Sequence, residues 1–134
     1  MAAVPPAPVG PGAAVPVVPL IPEDLDYALS LIGITIPAQR IRIVEREGLT
    51  KVSDLGLFQS KEIETMATRY MKLPQLQRID FGLLRLKRLK AVAHWARKQK
   101  RSNIPVDYHA LTAEVLGEMI EEMNLDEADY KLST

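Results

Sequence analysis

Eight basic side chains, Arg85, Lys87, Arg88, Lys90, Arg97, Lys98, Lys100 and Arg101, fall within the 21 residues FGLLRLKRLKAVAHWARKQKR (Phe81–Arg101), with no Asp or Glu among them. Cations at this density do one kind of chemistry well: they hold anions, above all the repeated phosphates of a nucleic acid. Other chemistry has little to draw on. His94 and His109 are the two histidines, and their separation along the chain has no metal-ligand spacing around it. Cysteine is absent, which excludes disulfides, thiolate metal sites and a Cys nucleophile. The seven glycines are dispersed, and none forms a GxGxxG or GxxxxGKS/T phosphate loop. No GxSxG elbow occurs. The adjacent Glu121 and Glu122 fall on a solvated helix face, without the burial that tunes a carboxylate for acid–base work. The expectation is a non-enzymatic chain with no metal, no cofactor and no small-molecule substrate.

The chain carries 17 basic and 17 acidic residues, so the cluster is a local excess. Residues 1–80 hold eight basic against nine acidic residues, and residues 102–134 hold Lys131 against eight acids. The protein is therefore neutral but strongly dipolar along its sequence. The acidic C-terminal segment is itself an anion available to the basic run.

A single helix positions the basic side chains. At about 1.5 Å per residue, 21 helical residues extend roughly 32 Å. At about 100° per residue, Leu89, Val92, Trp95 and Ala96 share one arc, joined by Phe81 and Leu84. Lys87, Lys90, His94, Arg97, Lys98, Lys100 and Arg101 fall opposite. Arg85 and Arg88 project toward the apolar side and snorkel along its edge. Leu83 and Leu86 lie off the arc, where a second neighbouring helix would cover them. The outward cations Lys87, Lys90, Arg97, Lys98, Lys100 and Arg101 form the candidate contact surface for nucleic acid or a partner. Trp95 points inward, so no exposed aromatic interleaves with them.

Around this rod the pattern is helical throughout. Pro22 followed by Glu23, Asp24 and Asp26 starts a helix, with Leu25, Ala28, Leu29 and Ile32 on one face and Gly33 at its end. Thr35 and Pro37 open a second, carrying Ala38, Ile41 and Val44 inward, and Gly48 is its left-handed cap. A helical turn spans Val52–Leu57. Ser60 caps the next helix, with its stripe of Ile63, Met66, Ala67 and Tyr70, and Pro74 ends that unit. Asp80 caps the basic helix and Asn103–Pro105 breaks it. Asp107 opens the last helix, where Leu111, Val115, Met119 and Met123 recur and Glu114, Glu118, Glu121 and Glu122 face elsewhere. Met66, Met71, Met119 and Met123 are core fillers.

The fold class is all-α: a compact bundle of five to six helices. The expected organisation is a Pro/Ala-rich disordered arm over 1–22, a helical domain over 23–125 with an acidic helix near 108–124, and a tail over 126–134. The arm has seven prolines and no charged side chain, a composition for extended chain. No secretory signal and no apolar run of about 20 residues is present, so an intracellular, cytoplasmic and non-membrane protein is expected.

The order ALSLIGITIPAQRIRIVEREGL, KVSDLGLFQSKEIETMA and FGLLRLKRLKAVAHW resembles the sterile alpha motif, several short helices followed by one long one, over about residues 25–98. The related helix-hairpin-helix fold is less similar, because its Gly-x-Gly hairpin is missing. AQRIRIVEREGL, DLGLF and RLKRLKAVAHWARKQKR also resemble N-terminal, Gag-like regions of uncharacterised microalgal proteins that lie upstream of retrotransposon enzymes, over roughly residues 29–123. The first resemblance implies a protein-interaction module that can polymerise head to tail, with a minority of its members binding RNA. The second implies a self-associating capsid-type module close to RNA. No zinc knuckle, Asp-Thr-Gly protease motif or polymerase accompanies it. The two functions expected are a self-associating or partner-docking helical module and, as the alternative, sequence-tolerant RNA binding through the basic helix.

Overall fold

The computed structural model describes the backbone of residues 21–133 and the side chains of residues 21–124; the proline-rich stretch 1–20 lies outside the described residues. Among the described residues every regular element is helical. The domain starts slightly before the expected boundary, because Ile21 is buried with the core.

Helix α1 (Glu23–Leu31) begins directly after Pro22 and carries Glu23, Asp24 and Asp26 in its first turn. Asp24 also accepts a hydrogen bond from the Val52 amide at 2.7 Å, tying α1 to a later turn. The helix ends at Gly33, whose φ of +113° no side chain adopts easily. A Cβ there would also come within 3.2 Å of Arg85 Nε. Helix α2 (Pro37–Glu47) has Pro37 in its first turn and closes on Gly48 at φ +69°. Both glycine stops and both proline starts agree with the sequence reading.

A 3₁₀ segment, Val52–Leu57, follows. The Asp54 carboxylate organises it, accepting from the Thr50 amide at 2.8 Å and the Thr50 hydroxyl at 2.7 Å. Helix α3 (Ser60–Met71) is preceded by Gln59, whose amide donates to Glu62 at 2.8 Å. The expected Ser60 cap is thus displaced by one residue. Helix α4 (Leu83–Arg101) is one unbroken rod. Its cap position is Gly82, with no side-chain cap, and not Asp80. Phe81 is buried outside the helix, beside Tyr70, which turns the chain before the helix can begin. Asn103, at φ +57°, ends α4 in the left-handed conformation, and Ile104 donates back to the Gln99 carbonyl at 2.9 Å.

The last helix differs most from expectation. Asp107 caps only a short 3₁₀ turn, Tyr108–Ala110, by accepting from the His109 amide. Helix α5 runs Ala113–Ser133, so it starts later than 108 and its backbone continues past 124. Thr112 caps it, its hydroxyl accepting from the Val115 amide at 3.2 Å. Leu111 is fully buried and Tyr27 Oη donates to its carbonyl at 2.6 Å. That anchor holds the chain extended until Thr112.

Helix α5 runs in the same sense as α4. Leu84 and Arg88 border a groove with Ala113 and Leu116, while His94 and Lys98, further along α4, reach Glu122. The chain must therefore travel back along the whole of α4 before α5 starts. A helix of 19 residues is roughly 28 Å long, and the 11 residues Ser102–Thr112 span up to about 36 Å when extended, enough to make the return. Tyr108 secures this strap, its ring 5.4 Å from that of Tyr27 and its hydroxyl on the Glu23 carboxylate.

With partners on two sides, α4 buries Ala91 and Ala93 as well as Leu89, Val92, Trp95 and Ala96. At about 100° per residue these positions cover roughly 200° of its circumference, twice the width of an ordinary amphipathic stripe. Ala91 and Trp95 belong to the arc that also holds Leu84, Arg88 and Lys98, the side facing α5. No polar or charged residue is fully buried among the described residues. Because Ala91 has no exposed surface, Ala91→Leu should overpack that seam and lower stability by about 1–3 kcal/mol in urea denaturation. An unchanged midpoint would mean that the two helices are not closely packed there.

Candidate functional site

The six cations expected to form one outward surface meet different fates. Lys87 is half-buried on the narrow open strip of α4, beside exposed Leu83 one turn before it. Lys90 is drawn to Glu64 of α3 in an ion pair. Lys98 pairs with Glu122 of α5 at 2.8 Å. Lys100 and Arg101 are exposed in the last turn of α4, where the helix dipole favours positive charge. They are in no ion pair among the described residues.

Arg97 faces away from the apolar arc, as read, but not into open solvent. Its guanidinium is half-buried and donates to the Phe58 carbonyl at 2.8 Å and the Gly56 carbonyl at 3.3 Å. Those carbonyls belong to the end of the 3₁₀ segment, where a helix terminus leaves acceptors without partners. Arg97 therefore staples α4 to that segment. Burial, and then the nearby Arg101, lower its pKa from the ordinary guanidinium value. Gly56 permits the approach: a Cβ there would stand 3.3 Å from both Ala96 Cβ and Arg97 Cγ.

His94, expected on the open surface, lies mostly covered between α4 and α5, with Nε2 2.9 Å from Glu122 Oε1. Glu122 thus receives both His94 and Lys98. Lys98, then His94, hold its carboxyl below the ordinary glutamate value, and Lys90 does the same for Glu64. The continuous cationic flank is consequently interrupted by the chain's own acids and carbonyls.

Apolar side chains occupy part of the surface instead. Leu84, expected in the core, is 55% exposed, and Leu83, expected to be covered, is 70% exposed. Each lies at the start of α4, where the overlap with α5 is only beginning. Leu84 borders a groove of about 320 Å³ whose other apolar walls are Leu31, Leu116 and Ile120. A second, wider groove of about 670 Å³ lies beside Leu57, Phe58 and Met66, between α3 and the 3₁₀ segment. Leu57 is 71% exposed at its edge.

Among the described residues the most exposed large apolar side chain is Leu76, at 95%. It sits on a fixed loop. Gln77 N–H closes a turn onto the Pro74 carbonyl at 2.8 Å, and Ile79 N–H reaches Tyr70 O at 3.2 Å. Arg42 donates to the Gln77 carbonyl at 2.9 Å and Gln39 to that of Arg78 at 3.4 Å. Ile79 and Phe81, both buried, anchor the segment beneath. Sequence reasoning passed over Leu76 because the segment was read only as a break after Pro74. The available signal was a lone leucine between two glutamines in Pro74–Arg78.

No helix of the described residues is long and apolar enough to cross a membrane. Comparison with protein-family models, curated proteins and solved structures finds no match to this chain.

Two stability tests follow from this geometry. Arg97→Ala removes a charged donor from two half-buried carbonyls and should cost about 1.5–3 kcal/mol, whereas Lys98→Ala, at an exposed pair, should cost under about 1 kcal/mol. Equal losses in denaturant titrations would contradict the staple. Glu64 and Glu122 have depressed pKa values, so the stability they add is complete above the ordinary glutamate value of 4.5 and is lost as pH falls through their folded values. Glu64→Gln/Glu122→Gln should therefore flatten the acid limb of the stability curve while lowering stability slightly at neutral pH. An acid limb as steep as in the parent protein would rule that out.

Proposed function

We propose that this chain is a non-enzymatic helical interaction module that associates with itself. The observation carrying this reading is the set of large apolar side chains held outside the fold on well-anchored elements, with Leu76 at 95% exposure foremost. Exposed leucines on a fixed scaffold pre-empt the ordering cost of association, and contiguous apolar surface beyond single residues marks contact sites. The opposite charges of residues 81–101 and 102–134 add a second support, because complementary patches on one chain suit assembly between copies. The resemblance to the sterile alpha motif read from the sequence implies the same class of module.

A second reading, sequence-tolerant RNA binding, is favoured by Lys100 and Arg101, which stay exposed and outside any ion pair among the described residues. Lys87 is a third contributor. This is a smaller set than the six cations of the sequence reading, and it predicts weaker binding.

Sedimentation or light scattering across protein concentration should show association that weakens as salt rises. A strict monomer at high concentration and low salt would remove the first reading. Fluorescence anisotropy with short single-stranded RNA should show, if three phosphates are neutralised at about 0.7 each, a log–log salt slope near −2. Absence of any binding at low salt would remove the second.

A further inference from the structure

The two apolar features described above differ in the charged residues on the elements that carry them. Leu76 projects from the segment Lys72–Arg78, which has a cation at each end and no acid. The Arg42 guanidinium is fixed on the same loop through the Gln77 carbonyl. None of these three cations is in an ion pair among the described residues. The groove walled by Leu31, Leu84, Leu116 and Ile120 is bordered on α5 by Ala113 and Gly117. Glu114, Glu118 and Glu121 follow on the exposed side of the same helix, and they too are in no described ion pair. Arg88 closes the α4 wall. A Cβ added at Gly117 meets nothing within 4 Å, so the floor of the groove is open at that point.

Resting on the interaction-module reading, we infer that the occupant of the α4/α5 groove is the Leu76 loop of a second copy of this chain. Leu76 is an apolar knob with a basic collar, and the groove, at about 320 Å³, is an apolar socket with Arg88 on its α4 wall and three exposed carboxylates, Glu114, Glu118 and Glu121, on the helix that forms its other wall. The knob is pre-organised by the backbone and side-chain bonds that hold its loop, so little freedom remains to be lost on docking. Charge complementarity sets the direction: cations of one copy meet the carboxylates of the next, while like surfaces repel. Knob and socket comprise different residues, so the contact is heterologous and each copy offers one of each. Such a contact propagates head to tail into a ring or a filament.

Both surfaces accept substitution without touching the core, because Leu76 and Gly117 are exposed. The experiment uses Leu76→Asp, which spoils the knob, and Gly117→Trp, which fills the socket, with circular dichroism melting to verify that each folds. Each variant alone should be monomeric in sedimentation equilibrium at low salt, at concentrations where the parent chain associates. An equimolar mixture should then form a one-to-one dimer, because the Leu76→Asp copy retains its socket and the Gly117→Trp copy its knob. Glu118→Lys should weaken association of the parent chain and reduce its salt sensitivity.

If the parent chain associates and both single variants do so equally, the interface is elsewhere: the inference falls and the module reading stands. If the variants are monomeric but their mixture also stays monomeric, the contact is not head to tail and the inference is overturned. If the parent chain itself never associates, the module reading fails together with it.

Discussion

The arrangement depends on one constraint, the covering of α4 on two sides. A helix with a single apolar stripe settles against one neighbour, but α4 buries positions over more than half its circumference. The short helices and the 3₁₀ segment close one side, with Arg97 bonded to their exposed carbonyls. The other side needs α5, and α5 can lie there in a parallel sense only after the chain has run back as an extended strap. Each large apolar side chain taken fully out of water contributes about 1.5–3 kcal/mol, so Leu89, Val92 and Trp95 alone make both covers worthwhile. Parallel neighbours align their dipoles unfavourably. Glu122, receiving His94 and Lys98, offsets this with opposite charge across the seam.

Much of the architecture was legible because it is local. The stops at Gly33, Gly48 and Asn103 follow from backbone conformations that few residues adopt, and the starts at Pro22 and Pro37 follow from a fixed φ. The failures have a common cause in distant contacts. Asp80 and Asp107 are good caps in isolation, but Phe81 and Leu111 are anchored in the core and move the helix starts to Leu83 and Ala113. A helical wheel gave the direction of Arg97 correctly. It could not show that two backbone carbonyls, 41 and 39 residues earlier in the chain, wait in that direction. Leu84 fell on the apolar arc as read, yet its neighbour on that side is a groove and not a packed surface.

The neutral total charge acquires a physical meaning in this fold. Glu64 and Glu122 come from different helices, and each meets a cation of α4 that would otherwise face water. Among the described residues, Arg85, Lys87, Arg88, Arg97, Lys100 and Arg101 of α4 remain outside any ion pair, and of these Lys100 and Arg101 are the exposed ones. Among the described residues, the acids that α5 leaves over, Glu114, Glu118 and Glu121, are exposed. Opposite charges thus remain separated on the surface after the internal pairs are made, and the exposed leucines lie among them. A surface of that kind favours contacts that are directional and sensitive to ionic strength over a general stickiness.

Trp95, the single tryptophan of the chain, is almost wholly enclosed on the α4 arc that faces α5. Its indole is an optical gauge placed where the parallel helices meet. Peeling α5 away would wet this ring while leaving the short-helix side of the bundle intact, so the emission wavelength would shift to the red before the helical signal is lost. The molecule reports the closure of its own seam without any attached label.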